Sequence, residues 1–255
     1  MTSSPFSLTN RIALVTGSTS GLGKEIARGM ATAGAHVIIN GRSEEHLDLV
    51  QREFLGLGLD VSTACFSVED KPAVKKAFVA FKKDHQSIDI LVNNVGNRNR
   101  KDIQSFDDDE PSKLFDTNLI APFELSRIVA PSMMDRGWGR IINISSVAAQ
   151  IANSGDALYT ASKGGLESLT RALAAEFGHA GVTVNAISPG FFATTPNQSM
   201  IDEPKIEAWL KTRTSLGRWA DPEEISGSAV FLASDAASYI TGHVLVVDGG
   251  MSSKM

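Results

Sequence analysis

The chain has 255 residues, an apolar content of 42% and a formal net charge of −5. Its length and ordinary apolar share predict one large α/β domain, spanning 1–255, with a sizeable core. The negative charge argues against attraction to nucleic acid or to an anionic membrane, and no apolar run approaches the length of a membrane span. We therefore expect a small-molecule substrate as the partner, without nucleic acid or membrane.

The cysteine and histidine content bears on the cellular compartment and on metal binding. Cys65 is the only cysteine, so an internal disulfide is impossible, which fits a reducing cytoplasm. The five histidines are scattered without ligand spacing, so no metal site is expected. The first ten residues lack the charged start and apolar centre of a secretory signal. The sequence thus predicts a cytoplasmic protein without a metal.

Short apolar runs alternate with helical patterns along the chain, which predicts a parallel sheet with helices on both faces. The predicted strands, in chain order, are 12–16, 36–40, 61–66, 90–92, 140–144, 182–187 and 244–247. Between them, apolar residues recur at helical spacing, as in Leu47, Val50 and Phe54. The predicted fold class is a single doubly wound, Rossmann-type α/β domain with a seven-stranded parallel sheet.

A glycine-rich turn follows the first predicted strand and leads into a helix. Gly17, Gly21 and Gly23 give the spacing Gly-x-x-x-Gly-x-Gly. Glycines allow a pyrophosphate to approach main-chain N–H groups closely, and the helix N-terminus attracts its charge. The turn therefore predicts a dinucleotide site. Its expected contacts are Gly17, Ser18, Thr19, Gly21, Leu22 and Gly23.

Tyr159 and Lys163 form the second motif. They are four residues apart in a stretch that is typical of helix, so both side chains lie on one face, one turn apart. A neighbouring ammonium favours the phenolate and pulls the pKa of the tyrosine down from about 10. Such a phenol can exchange a proton with an alcohol or carbonyl oxygen. Taken alone, the pair is more typical of the surface of a helix.

Together and in this order, the two motifs resemble the short-chain dehydrogenase/reductase family, and further matches follow. These are Asn94 and Gly96 after the fourth strand, Asn118, Ser146 after the fifth, Pro189 and Gly190 after the sixth, Thr194, and the run 248–250. Val95 is a mild departure, because the family usually has alanine there. The resemblance covers about the whole chain and implies an oxidoreductase that acts on CH–OH groups with NAD(P).

The resemblance also implies roles for four side chains. Tyr159 would be the general acid in reduction and the general base in oxidation, with Lys163 lowering its pKa and holding the nicotinamide ribose. Ser146 would hydrogen-bond the substrate oxygen. Asn118 would anchor a water that links Lys163 to solvent. Tyr159 and Ser146 would therefore contact the substrate as well.

The end of the second predicted strand bears on cofactor choice. NAD enzymes commonly place a carboxylate here, whereas this chain has Arg42, which can pair with a 2′-phosphate. This favours NADP(H) over NAD(H), although Ser20 stands where many NADP enzymes carry a second basic residue. An exposed Arg42 that only stacks on the adenine is the alternative. The remaining expected cofactor contacts are Ser67, Val68, Asn94, Gly96, Tyr159, Lys163, Pro189, Gly190, Phe192 and Thr194.

The substrate is less well determined. Arg98, Arg100 and Lys101 follow the fourth strand, where they can hold an anion, remain solvated, or pair with the acidic run 107–110. Arg100 is the candidate substrate ligand, because it stands where the gluconate 5-dehydrogenase branch of the family carries an arginine. Asp156 would repel a carboxylate if it faced the pocket. The segment 194–218 is interpreted as a substrate lid, since it follows a strand's carboxyl end.

The sequence therefore predicts an NADP(H)-dependent oxidoreductase acting on a carbonyl or secondary alcohol, such as the keto sugar acid 5-ketogluconate. Small aliphatic or cyclic ketones and aldehydes, or 3-oxoacyl thioesters, are alternative substrates. A dinucleotide sensor without turnover is an alternative of a different class. By resemblance we expect a homo-oligomer, a dimer or a tetramer, paired through helices around 109–136 and 159–178.

Overall fold

The computed structural model describes residues 4–83 and 87–254. The predicted domain 1–255 and the interpretation of the first ten residues therefore fall partly outside the described residues. Within them, seven parallel strands form one sheet. They are β1 (Ile12–Val15), β2 (His36–Gly41), β3 (Val61–Cys65), β4 (Ile90–Asn93), β5 (Gly139–Ile144), β6 (Val182–Pro189) and β7 (Val244–Val247). The predicted strands agree apart from their end residues, which confirms the fold class.

The α-helices lie in the segments between these strands. They are α1 (Gly21–Thr32), α2 (Glu44–Gly56), α3 (Lys71–Lys83), α4 (Glu110–Phe115), α5 (Ala121–Asp135), α6 (Ala157–Phe177), α7 (Gln198–Ile201), α8 (Pro204–Arg213) and α9 (Ser226–Ala233). Single helical turns occupy Ile103–Ser105, Val147–Ala149, Gly178–Ala180, Thr195–Asn197, Pro222–Ile225 and Asp235–Ala237. A π-helical segment, Asp116–Ile120, joins α4 to α5.

Side-chain alternation along the strands divides the core between the two faces of the sheet. In β1, Ala13 and Val15 point to one face and pack with buried residues of α1, α2 and α9. Leu14 points to the opposite face, into the cluster that contains buried residues of α3, α5 and α6. The period of two in a strand produces this division, and the apolar stripes of the helices cover both faces.

The strand order is β3-β2-β1-β4-β5-β6-β7. The chain leaves β1 toward β2 and β3, then returns to place β4 on the other side of β1. Loops after β1 and β4 therefore diverge, and a crevice opens at the carboxyl ends of these strands, where ligands bind in such sheets. This topology places the glycine turn opposite the segment that contains Asn94 and Gly96.

The segment predicted as a lid, 194–218, carries the turn Thr195–Asn197 and helices α7 and α8. Phe191, just after β6, stacks edge-on against Trp209 of α8 and against Trp219, with ring centroids 5.3 Å apart in both pairs. These aromatic contacts fasten the outer helix to the end of β6. Within the described residues, no helix is long and apolar enough to cross a membrane.

Candidate active site

A cavity of about 580 Å³ lies at the carboxyl edge of the sheet. The glycine turn, the loops after β2 to β6 and the start of α6 all contribute to its wall. Most residues predicted to bind cofactor or to act in catalysis line it. They are Gly17, Thr19, Gly21, Leu22, Gly23, Arg42, Ser67, Val68, Asn94, Gly96, Ser146, Tyr159, Lys163, Pro189, Gly190, Phe192 and Thr194.

Ser18 is an exception among the predicted cofactor contacts. Its side chain is fully buried, donating to the Val15 carbonyl oxygen at 2.7 Å and accepting from the Asn40 amide at 3.0 Å. The Asn40 side chain in turn accepts from the Gly17 amide at 3.2 Å. Ser18 therefore ties the glycine turn after β1 to strand β2, and its hydroxyl is not offered to the cavity.

The glycine turn fits a pyrophosphate because side chains are sterically excluded from it. A Cβ on Gly23 would lie 2.4 Å from the Gly17 oxygen and 2.4 Å from Asn94 Nδ2, and Gly17 has φ +61°. Among the described residues, none caps the start of α1, since the Ser20 side chain makes no capping hydrogen bond. The first N–H groups of α1 thus remain available to an anion, with a favourable helix dipole.

The proposed catalytic side chains converge on this cavity from two elements. Tyr159 and Lys163 lie one turn apart on α6, and Ser146 follows β5. Lys163 Nζ donates to the Ile144 carbonyl oxygen at 2.8 Å and lies 5.9 Å from the centre of the Tyr159 ring. Gly96 packs against this ammonium, because a Cβ there would lie 3.0 Å from Nζ.

Burial dominates the protonation of both groups on α6. It raises the pKa of Tyr159 above its ordinary value, while the hydrogen bond from Ser146 and the charge of Arg98 act in the lowering direction. Burial lowers the pKa of Lys163 to about 8. The expected lowering of the tyrosine pKa by Lys163 is therefore not found. The ammonium is held on a backbone carbonyl, and Arg98 is the cation that favours the phenolate.

Asn118 lies in the π-helical segment and is fully buried. Its side chain donates to the Asn97 carbonyl oxygen at 2.8 Å and to Ser162 Oγ at 3.0 Å, and accepts from the Asn97 amide at 2.7 Å. Asn118 therefore clamps the loop after β4 to α6. A π-helical segment at such a position is typical of functional sites. Its expected role in anchoring a water stays a prediction.

Two arginines of the loop after β4 converge on one carboxylate. Asp156 has no exposed side-chain surface and accepts hydrogen bonds from both Arg98 and Arg100. Burial alone would raise the pKa of Asp156, but these hydrogen bonds and charges hold it below its usual value. Asp156 is therefore a buried, paired anion and not a free charge facing a ligand. Lys101 pairs with Glu110, which was one of the open alternatives.

The cavity wall contains Arg98 and not Arg100. The sequence favoured Arg100 as the substrate ligand, and that assignment stays a prediction. Sequence reasoning missed the contact of Arg98 with Tyr159 and its pairing with Asp156, since these partners are some 58 residues apart. It also missed Asn97 and Asn197, both on the wall, although each adjoins a recognised motif. Among the described residues, no cluster of His, Cys, Asp or Glu suits a metal ion.

Comparison with known proteins finds similar oxidoreductases by sequence and by structure. A family model described as "Enoyl-(Acyl carrier protein) reductase" matches residues 17–252. The chain is 42% identical to gluconate 5-dehydrogenase of Gluconobacter oxydans (strain 621H), covering 97% of this chain and 96% of that protein. It is 36% identical to 5-keto-D-gluconate 5-reductase of Escherichia coli (strain K12), covering 96% and 97%. The crystal structure of a gluconate 5-dehydrogenase from Burkholderia cenocepacia J2315, in complex with NADP and tartrate, superposes with a TM-score of 0.94. That protein is 39% identical, with 98% of each chain covered.

Proposed function

This chain belongs to the short-chain dehydrogenase/reductase family of oxidoreductases, and from that premise we propose that it interconverts a keto sugar acid and its hydroxy acid with NADP(H). The observation that carries the proposal is the meeting of Tyr159, Ser146 and Lys163 with the glycine turn on a single cavity. A site for proton exchange and a site for a dinucleotide thus share one wall. Enzymes of 5-ketogluconate chemistry among the relatives support the substrate class.

The end of β2 supports NADP(H) as the cofactor. Arg42 lines the cavity with an exposed side chain, directly after Gly41. No carboxylate occupies this strand end, where NAD enzymes commonly hold the ribose hydroxyls. A guanidinium there suits the 2′-phosphate, which it can bind through charge-assisted hydrogen bonds. The NADP complex of the relative from Burkholderia cenocepacia agrees with this choice.

The catalytic roles follow from the proton that Tyr159 can transfer and from the contacts that the other side chains can make. The bound nicotinamide would supply or accept the hydride. The Tyr159 hydroxyl gives its proton to the substrate oxygen when a carbonyl is reduced, and takes a proton from the alcohol in the reverse direction. Ser146, which lines the same wall and acts to lower the pKa of Tyr159, steadies the charge on the same oxygen. Lys163, which borders the same wall, would hold the ribose, with Asn118 behind it linking the group to solvent.

The lid assignment for 194–218 is part of the proposal. Thr194 and Asn197 lie on the cavity wall at the start of this segment, and α8 is fastened by Trp209 to Phe191. The segment therefore sits where it can cover the substrate and exclude water. Phe192, buried on the wall, supplies apolar contact.

The test is a cofactor and substrate survey with purified protein. Absorbance of NADPH and NADH would be followed with 5-ketogluconate, gluconate, neutral ketones and a 3-oxoacyl thioester, the last because the family model carries an acyl-carrier-protein name. We expect turnover of the sugar acids with NADP(H), and none with Tyr159→Phe. Preference for neutral ketones or thioesters would refute the substrate class. Tight NADPH binding without turnover of any compound would favour the sensor.

We also propose a homo-oligomer, a dimer or a tetramer, that works in the cytoplasm. Ile120, just before α5, and Phe123, in its first turn, are exposed apolar residues, and α5 is one of the two helices expected at the interface. Cys65 is a free, exposed thiol, which fits a reducing compartment. Light scattering at assay concentration measures the number of subunits, and a monomer would refute this assembly.

A further inference from the structure

Arg98 favours the Tyr159 phenolate through its charge, but the roles assigned above give it no contact with the substrate. It lines the cavity, and its guanidinium carbon lies 5.2 Å from the centre of the Tyr159 ring. Resting on the proposed function, we infer that Arg98 binds the carboxylate of the sugar-acid substrate and that Asp156 is the positioning residue that holds Arg98 in place. This assignment differs from the sequence prediction, which gave the role to Arg100.

The guanidinium of Arg98 is held from one side and open on the other. Its Nε donates to Asp156 Oδ1 at 3.0 Å, and its Nη2 donates to Oδ2. Within the part of the chain that the structure describes, Nη1 makes no hydrogen bond to protein. A planar guanidinium that is fixed through one edge presents its remaining N–H groups to a second carboxylate. The partner of this free edge would be the substrate.

Asp156 orients Arg98 without cancelling the positive charge of the site. Its carboxylate also accepts from Arg100, at 3.2 Å from Nε and 2.8 Å from Nη2. Two guanidinium groups therefore share one fully buried carboxylate, which leaves one net positive charge beside the cavity. Arg100 is the outer member of this trio, with 43% of its side chain exposed and no place on the wall. Arg98 is the cation that a ligand next to Tyr159 would meet.

The backbone on each side of Arg98 is fixed as well. Asn97 is bonded through both its amide and its carbonyl to the Asn118 side chain. The Lys101 amide donates to the Gly155 carbonyl oxygen at 3.1 Å. The loop is thus fastened to the π-helical segment before Arg98, and after Arg98 to Gly155, which lies just before α6. A preorganised cation loses little entropy when it binds an anion, which makes it effective in selecting one.

The experiment compares gluconate with gluconamide, its uncharged amide, as substrates with NADP⁺. We expect Arg98→Met to lower the ratio of kcat/KM for gluconate to that for gluconamide about 10- to 100-fold, chiefly through KM, since one charge-assisted contact is lost. The charge of Arg98 also acts to lower the pKa of Tyr159, so its loss should slow the turnover of both substrates. The ratio of the two kcat/KM values removes this shared effect and is therefore the readout. Asp156→Asn should lower this ratio less than Arg98→Met does. Arg98→Lys, which keeps a positive charge, should give a ratio between those of Arg98→Met and wild type.

Matched variants separate folding, position and charge. Arg98→Met should still fold, because Asp156 keeps Arg100 as a partner; thermal unfolding and NADP⁺ affinity check this. Lys101→Met, on the same loop but paired with Glu110, should leave the ratio unchanged. Arg100→Met should lower it less than Arg98→Met. Calorimetric titration of tartrate into the protein loaded with NADP⁺ gives a readout that does not involve turnover, and Arg98→Met should weaken that binding about tenfold or more.

The outcomes distinguish this inference from the proposed function. Wild-type turnover of gluconate together with an unchanged ratio in Arg98→Met overturns the inference and leaves the function standing. A larger loss in Arg100→Met than in Arg98→Met also overturns it, in favour of the sequence prediction. Wild-type protein that turns over neither gluconate nor 5-ketogluconate refutes the proposed function, and the inference with it.

Discussion

Lys163 provides the most quantitative test of the site, because its amine is buried and titrates far from the usual range. Its side chain is 3% exposed, and burial lowers its pKa from 10.5 to about 8. Each pKa unit corresponds to about 1.4 kcal/mol, so a shift of this size amounts to about 3 kcal/mol of stability. We predict that Lys163→Met removes this pH-dependent cost while abolishing turnover.

The sign follows from proton counting. Below pH 8 the amine is protonated in both the native and the unfolded chain, so its contribution does not change with pH. Between about pH 8 and pH 10.5 the unfolded chain holds the proton that the native protein has released, so the free energy of unfolding rises with pH. The Lys163→Met variant lacks this rise. The unfolding free energy of wild type minus that of the variant should therefore be level up to about pH 8 and then increase.

The assay is urea unfolding followed by tryptophan fluorescence at pH 7, 8, 9 and 9.5. The difference between the two proteins should grow by about 2 kcal/mol between pH 7 and pH 9.5. Loss of the hydrogen bond to Ile144 shifts the difference by a constant and does not affect its slope. Lys163→Leu, which packs differently, should show the same slope. A difference that stays level across this range would refute the burial cost assigned to Lys163.

Three further predictions concern the same cavity. Tyr159→Phe should lower kcat by about 10²- to 10⁴-fold without changing NADP⁺ affinity in a fluorescence titration; a kcat near that of wild type would exclude Tyr159 as the proton donor. Gly23→Ala should weaken NADP⁺ binding and lower the free energy of unfolding by about 1–3 kcal/mol, because its Cβ would lie 2.4 Å from the Gly17 oxygen. The control Gly56→Ala should change neither quantity, since nothing lies within 4 Å of a Cβ at that position. Arg42→Met should reduce kcat/KM for NADPH about tenfold or more while leaving that for NADH nearly unchanged; equal losses with both cofactors would show that Arg42 does not select the 2′-phosphate.

The amino-acid sequence by itself determined the sheet, the glycine turn and the pairing of Tyr159 with Lys163. Each of these depends on local periodicity or on a short motif. Alternating apolar residues define a strand, and a spacing of four puts two side chains on one helical face. A parallel sheet then brings the carboxyl ends of its strands to one edge, so the general location of the site follows from the order of the elements.

Only the tertiary structure decided which polar side chains meet. Ser18, expected on the cavity, is turned inward to Asn40, and Asn118 holds the backbone of Asn97. Arg98 and Asp156 carry no mutual signal in sequence, because they belong to different loops that meet at the edge of the sheet. A long polar side chain has many rotamers and many potential partners. Which one it adopts depends on burial and on the packing of loops, and neither is encoded in a local pattern.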